Sequence, residues 1–327
     1  MIHKRDAKDW AKEHLRGLWS TPTIPFESNE ALSEKGIRHN VDRMVQARIK
    51  GIGFGFSEPW VLSIEERKRA MNVSVDAIDK RVCSYLHTTD HSVQETINLT
   101  LHAQETGADA VMIWTPFEWA KDQNMICEYF EYIASKVDIA IFAYNTYHSG
   151  ICMTPETVLR LAKIPNVCAL KDAINDVSHT VRCAELAGDL IVVSDPLEDH
   201  LLTMTVQHGQ QAMLGTTSLF LMQSPTHQPI QDYFELARDG KVAQATQLHQ
   251  ELQPLRDIWT GIYQVLWEKE AAKHPLPLIK YWMDLIGMSG GQVRPPMINL
   301  NGSEKAAFKA RLDKSGWMEK LYPASSK

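Results

Sequence analysis

Apolar runs recur along the chain about every 20–35 residues, the length of one strand, its return helix and two turns. They end near Thr23, Phe56, His87, Thr115, Tyr144, Lys171, Ser194 and Thr216. Several, such as Ala110-Val111-Met112-Ile113-Trp114 and Leu190-Ile191-Val192-Val193, are apolar throughout. Continuous runs of this kind fit parallel strands covered on both faces. The segments between them carry helix-start signals. Ser63-Ile64-Glu65-Glu66 and Ser92-Val93-Gln94-Glu95 have the form of a capping box, and Thr154-Pro155 reads as an N-cap followed by proline in the first turn. Eight strands alternating with helices predict an α/β fold of the (β/α)8 TIM-barrel type. An open doubly wound sheet ranks second, because no glycine-rich phosphate fingerprint follows the first strand.

The flanks follow other patterns. Residues 5–16 are charged, with Ala7, Trp10, Ala11 and Leu15 close to one helical face, which predicts a short arm packed on the domain. Beyond about residue 237 the rhythm turns wholly helical, over 241–267, 277–287 and 303–315. Pro254 is expected to kink the first of these, and Gly290-Gly291 and Pro295-Pro296 mark breaks. The expected organisation is an N-terminal helical arm at 1–16, a barrel at 17–237 and a C-terminal helical subdomain at 238–327.

Composition narrows the function classes. A chain of 327 residues with 44% hydrophobic content can fill one large core. A net charge of -6 without a basic patch speaks against nucleic acid as a partner. No apolar run approaches the roughly 20 residues of a membrane helix, and the first residues lack the apolar core of a secretory signal. Five cysteines, odd in number and without a CxxC pair, point to free thiols, hence a cytoplasmic location, and away from a zinc knuckle.

Two strand ends carry the chemistry. Val167-Cys168-Ala169-Leu170 runs into Lys171-Asp172, and Ile139-Ala140-Ile141-Phe142-Ala143 runs into Tyr144-Asn145. In a barrel the C-terminal strand ends share one pocket, which would gather Glu58, His87, Trp114, Tyr144, Lys171, Asp195 and Thr216. An amine attacks a ketone only when unprotonated, and burial lowers its pKa. Lys171 is therefore the candidate nucleophile, and Tyr144 a candidate proton shuttle. The commoner meanings of such residues are a lysine solvated at the rim and a core tyrosine with a satisfied hydroxyl. Gly53-Phe54-Gly55-Phe56-Ser57-Glu58 is either an anion-binding turn or a tight turn needing positive φ. His87, His91, His148 and His200 lack metal-ligand spacing, which favours structural or substrate-polarity roles. Trp60, Trp114 and Trp119 suit an aromatic pocket or ordinary core packing.

Taken in order, these pieces resemble the dihydrodipicolinate synthase/N-acetylneuraminate lyase superfamily. The resemblance rests on Tyr144-Asn145, on Thr154-Pro155-Glu156-Thr157-Val158 continuing to Ile164-Pro165-Asn166-Val167, and on Lys171-Asp172. Thr21-Pro22, Glu58 with Leu62-Ser63, Glu105-Thr106-Gly107-Ala108, Pro275-Leu276-Pro277 with Lys280, and Arg294-Pro295-Pro296 agree with it. It implies a Schiff base on Lys171, Tyr144 as proton relay, and a homotetramer or homodimer. The family's carboxylate turn, usually Gly-Thr-Thr-Gly-Glu or Gly-Thr-Phe-Gly-Glu, is matched by Phe54-Gly55-Phe56-Ser57-Glu58, which lacks the threonine hydroxyl. Phe56 leans toward the hydratase-aldolases that handle aryl-substituted pyruvates, as does the length of the C-terminal region. The stretch Thr146-Tyr147-His148-Ser149-Gly150 lacks the arginine that grips a second carboxylate in dihydrodipicolinate synthases. Phe117-Glu118 replaces the tyrosine pair of the usual inter-subunit relay.

The resulting expectation is a Schiff-base lyase acting on a 2-oxo acid, with an apolar or aromatic aldehyde portion. Gly55, Phe56, Ser57, Asn145, His148 and Thr216 are the expected substrate contacts, and no metal or organic cofactor is needed. A dihydrodipicolinate synthase proper and a ligand-binding barrel without turnover are the rivals, with a metal-dependent hydrolase more distant.

Overall fold

The computed structural model describes residues 1–55, 58–115, 122–264 and 274–322. Eight strands follow along the chain: β1 (Gly17–Ser20), β2 (Gly51–Phe54), β3 (Cys83–His87), β4 (Ala110–Trp114), β5 (Ala140–Thr146), β6 (Val167–Ala173), β7 (Val192–Ser194) and β8 (Ala212–Leu214). Their order is β7-β6-β5-β4-β3-β2-β1-β8. The pairings β1–β8, β3–β4, β4–β5, β5–β6 and β6–β7 are parallel. The ring closes where the Leu214 amide donates to Ser194 Oγ at 2.8 Å. The fold is a (β/α)8 TIM barrel, and the apolar rhythm locates each strand end to within a turn.

Helices α1 (Ala7–His14), α2 (Glu34–Gln46), α3 (Ile64–Ile78), α4 (Val93–Glu105), α5 (Gln123–Lys136), α6 (Pro155–Leu161), α7 (Val177–Ala187) and α8 (Glu198–His208) precede or separate the strands. After β8 come α9 (Ser218–Leu221), α10 (Pro229–Arg238), α11 (Val242–Glu251), α12 (Gln253–Gln264), α13 (Leu276–Leu285), α14 (Gly302–Lys314) and α15 (Met318–Leu321). The capping box at α3 forms in both directions. At α4, Ser92 accepts from the Glu95 amide, but the Glu95 carboxylate accepts from Asn98 Nδ2 instead of closing the box. The helix expected over 241–267 is two helices within its described part, divided at Leu252. Pro254 sits in the first turn of α12, where its missing N–H breaks no helical bond. Among the described residues no helix is long and apolar enough to cross a membrane.

The chain divides into two compact units. The first holds Met1–Trp19 and Val82–Gly215. In it α1 buries Ala7 and Ala11 and lays Trp10 against Phe142, ring centroids 6.4 Å apart. Trp19, Tyr85 and Phe142 then form a layer with centroids 5.9 Å apart. Stacked layers of inward side chains are how such barrels fill their interior. The second unit holds Ser20–Arg81 and Thr216–Lys327. A buried ion pair anchors it: Lys280 Nζ lies 2.8 Å from Glu58 Oε1 and donates to the carbonyls of Ile24 (2.8 Å) and Gln292 (2.7 Å). Arg294 grips Glu66 with two bonds of 2.6 and 2.8 Å and lies over the Phe26 ring.

Candidate active site

The site in the first unit begins with an irregularity between β5 and β6. Ile141 pairs with Val167, but Phe142 pairs with Ala169, so Cys168 is an extra residue on β6. Side chains alternate along a strand, so one extra residue exchanges the faces of everything beyond it. The shift brings Tyr144 opposite Lys171 and Asn145 opposite Asp172. Tyr144 and Lys171 then share the interior, and Asn145 and Asp172 share the back of the sheet.

Lys171 is buried and donates to the Gly215 carbonyl at 3.1 Å. Its Nζ lies 4.9 Å from the centroid of the Tyr144 ring. Burial lowers its pKa to about 7. The ring face favours the ammonium, by about 1–2 kcal/mol at a dry site. Desolvation is the larger effect, so the amine remains well below an ordinary lysine. Lys280 is buried too, its pKa lowered by burial, and a carboxylate holds it at 2.8 Å.

Tyr144 sits in an aromatic cluster. Trp114 meets it edge-on at 5.6 Å, and His87 at 6.5 Å. His87 also approaches Trp114 (6.2 Å) and Tyr85 (5.8 Å), continuing the column upward from the layer below. His148 lies in a short 3-10 turn after β5, and burial lowers its pKa, which favours the neutral ring. Trp114 is half-buried, whereas Trp60, in the second unit, is 61% exposed and meets His274. His200 Nδ1 lies 2.9 Å from Asp195 Oδ2, just beyond the end of β7.

Behind the sheet lies a network that the sequence did not disclose. Asn145 Oδ1 accepts from the Met153 amide at 2.8 Å, which fixes the amide orientation, and Nδ2 donates to Asp172 Oδ1 at 2.8 Å. Asp172 Oδ2 accepts from Thr180 Oγ1 (2.7 Å) and from His179 Nδ1 (2.8 Å). The other nitrogen of His179 donates to the Met153 carbonyl at 2.9 Å. The Asn145 amide is thus held at both ends by protein partners. A signal existed: an aspartate at a strand end and a histidine in the first turn of the next helix meet when the loop between is short.

Asp172, His179 and Cys183 offer three potential metal ligands within 4.8 Å of one another. The 2.8 Å between His179 Nδ1 and Asp172 Oδ2 is a hydrogen bond. Two ligands on one tetrahedral zinc stand about 3.4 Å apart, so the hydrogen-bonded arrangement of this trio is not that of a tetrahedral zinc site.

Of the remaining candidates, Gly55 lies in the second unit with φ of 95°, the left-handed conformation that glycine tolerates. Thr216, in the same unit, is buried, and its carbonyl accepts from Ser20 Oγ. Glu58 is held by Lys280 and the Ile24 amide. Phe56, Ser57, Phe117, Glu118 and Trp119 lie outside the described residues.

Residues 14–315 match the model of the dihydrodipicolinate synthetase family. The 4-hydroxy-tetrahydrodipicolinate synthase of Methanothrix thermoacetophila is 28% identical over 303 residues, 92% of this chain and 97% of that relative. The enzyme of the same name from Bacillus velezensis is 28% identical over 292 residues, 88% of this chain and 92% of the relative. Among solved structures, YagE of Escherichia coli K12, a prophage protein of the dihydrodipicolinic acid synthase family in complex with pyruvate, superposes with a TM-score of 0.79. It is 27% identical, over 91% of this chain and 98% of that one.

Proposed function

The chain belongs to the dihydrodipicolinate synthetase family, and we propose that it is a Schiff-base-forming lyase, an aldolase or hydratase-aldolase, acting on pyruvate or an aryl-substituted pyruvate. The observation that carries this reading is the Lys171 amine, buried beside the Tyr144 ring with its pKa lowered to about 7. Near pH 7 roughly half of such amines are neutral, against about one in three thousand for an ordinary lysine. The pyruvate complex of YagE supports a 2-oxo acid as the ketone.

In this reading the neutral amine attacks the ketone carbon and forms a carbinolamine. Tyr144 delivers a proton to the departing oxygen, and loss of water leaves the iminium. When the bond between the carbons α and β to the iminium carbon breaks, the electron pair flows into the iminium and gives the enamine. The aldehyde departs as its hydroxyl proton passes to the tyrosine relay. The enamine is then protonated and hydrolysed to release the 2-oxo acid and the free amine. Lys171 and Tyr144 are the catalytic residues. Gly55, Phe56, Ser57 and Thr216 are assigned to the acid end, and His148 to the rim. Trp114 and His87 give the Tyr144 side of the site an aromatic wall, which favours a planar, apolar aldehyde. The rival dicarboxylate reading, a dihydrodipicolinate synthase-type condensation, needs a cation that the stretch 146–150 does not provide.

The test is borohydride trapping with pyruvate and a panel of aryl-substituted pyruvates, read by peptide mass. A reduced adduct on Lys171 is expected. No adduct with any of these ketones overturns the reading, and efficient turnover of pyruvate with aspartate semialdehyde would move it to the synthase.

A further inference from the structure

Four groups form a closed ring behind the Tyr144–Lys171 pair: the Asn145 side chain, the Asp172 side chain, the His179 ring and the backbone of Met153. Its members lie on β5, on β6, at the start of α7 and at the end of the loop that follows β5. Asn145 and Asp172 directly follow Tyr144 and Lys171 on paired strands. Gln123 secures the loop end from α5, bonding the Cys152 carbonyl (2.9 Å) and the Thr154 amide (3.0 Å).

The ring closes with one protonation state of His179. Nδ1 faces a carboxylate and Nε2 faces a carbonyl, and neither acceptor can donate. With Asp172 ionised, both contacts are hydrogen bonds only if both nitrogens carry hydrogen, which makes the ring an imidazolium. The charged neighbours agree. Asp172 stands on β6, Asp176 at the start of α7, Glu156 on α6, and Asp195 at the end of β7 couples to Asp172. Cys152 and Tyr147 of the loop and Cys183 on α7 complete the titratable surroundings, each with its pKa raised chiefly by burial. These groups favour a cation in their midst.

We propose that His179 is a positioning residue for the Schiff-base reaction. As an imidazolium it ties the strand end bearing the amine to the loop that follows the phenol, and so holds Tyr144 and Lys171 in register from behind. The inference rests on the Schiff-base reading for its purpose but not for its protonation state. Once the ring loses a proton, one of its two bonds is lost and the tie between β6 and the loop is broken, while Asn145 and Gln123 keep their own bonds to the loop end.

Two measurements test it. In 15N-histidine-labelled protein, both ring nitrogens of His179 are expected at protonated shifts at pH 7. One nitrogen at the unprotonated shift would overturn the proposal, whatever the activity. In trapping with pyruvate, H179Q is expected to react at least tenfold more slowly at saturating ketone, with little change in half-saturation. The wild-type rate should fall at alkaline pH with the midpoint of the His179 titration, and H179Q should lack that limb. Equal rates in a folded H179Q overturn the clasp alone. No trapping in the wild type overturns the Schiff-base reading and with it the clasp's purpose. Should H179Q fail to fold, the wild-type pair of titrations decides: disagreement between the two midpoints overturns the proposal.

Discussion

In the proposed reaction the behaviour of a single nitrogen sets the chemistry. With the Lys171 pKa lowered to about 7 by burial, its neutral fraction grows as pH rises through that value. The rate of pyruvate trapping should therefore climb from pH 5.5, bend near 7, and stay high until the His179 limb sets in. A stopped-time series across pH 5.5–9 reads it, and a rise centred near 10 would return Lys171 to the ordinary range. Tyr144→Phe removes the proposed proton carrier but keeps the ring over the amine. Steady-state turnover is expected to fall by roughly 10²–10⁴-fold, the usual loss for a general acid or base, with Lys171 still trappable. Both residues stood out in the sequence because each ends a continuous apolar run. What did not stand out was the sign of the lysine's environment. From the letters alone a lysine solvated at the rim is the commoner meaning, and the coordinates put Lys171 and Asp172 on opposite faces of the strand.

At the level of elements, the barrel was legible because buried parallel strands are apolar at every position, so their count and spacing survive without knowledge of the contacts. The register was not. The extra residue at Cys168 exchanges inside for outside across the last part of β6, and nothing in Val167-Cys168-Ala169-Leu170 marks it, since all four side chains suit either face. His179 escaped notice for a related reason. It lies seven residues from Asp172 without metal-ligand spacing, and only the short turn from β6 into α7 brings the two together. Capping was readable one helix at a time. Ser63 closes its box, whereas the Glu95 side chain turns to Asn98, a competition invisible in the S-x-x-E pattern. The arm at α1 matches its expected helical face, and its weight is testable. Trp10 stacks on Phe142 but is only half-buried, so Trp10→Ala should destabilise the fold by about 2 kcal/mol, below the range for a fully buried aromatic. Denaturant titration measures it, and a change below 1 kcal/mol would make the arm dispensable.

Among the described residues two lysines are buried, with opposite consequences. Lys280 and Glu58 are a fully buried pair, so removing one partner strands a charge. Lys280→Met is expected to destabilise by about 3–5 kcal/mol, and adding Glu58→Gln should recover much of the loss. A double variant no better than the single would show that the two bonds to backbone carbonyls matter more than the pair. Lys171 works against the fold. Its folded pKa lies below the unfolded value of 10.5, so the unfolded chain binds more protons between about 7 and 10.5. Stability from this group is lowest below about pH 7 and recovers as pH rises toward 10.5. Lys171→Met should thus be more stable than the wild type at pH 7, on the order of a few kcal/mol, with the gap shrinking in alkali. Melting curves of both proteins from pH 6.5 to 10 test the sign. A constant gap would mean that the lysine is not titrating in that window. Activity and stability then pull apart at one position, as they commonly do where a reactive group is kept dry.

The edge-on contact of Trp114 with Tyr144 has a practical consequence. The indole sits one ring away from the atom that would change from a neutral amine to a fixed cation during turnover. Its emission should dim or shift as the covalent intermediate accumulates, giving an optical signal in real time without label or coupled assay. A Trp114→Phe control would show how much of that signal belongs to this indole and how much to the chain's eight other tryptophans.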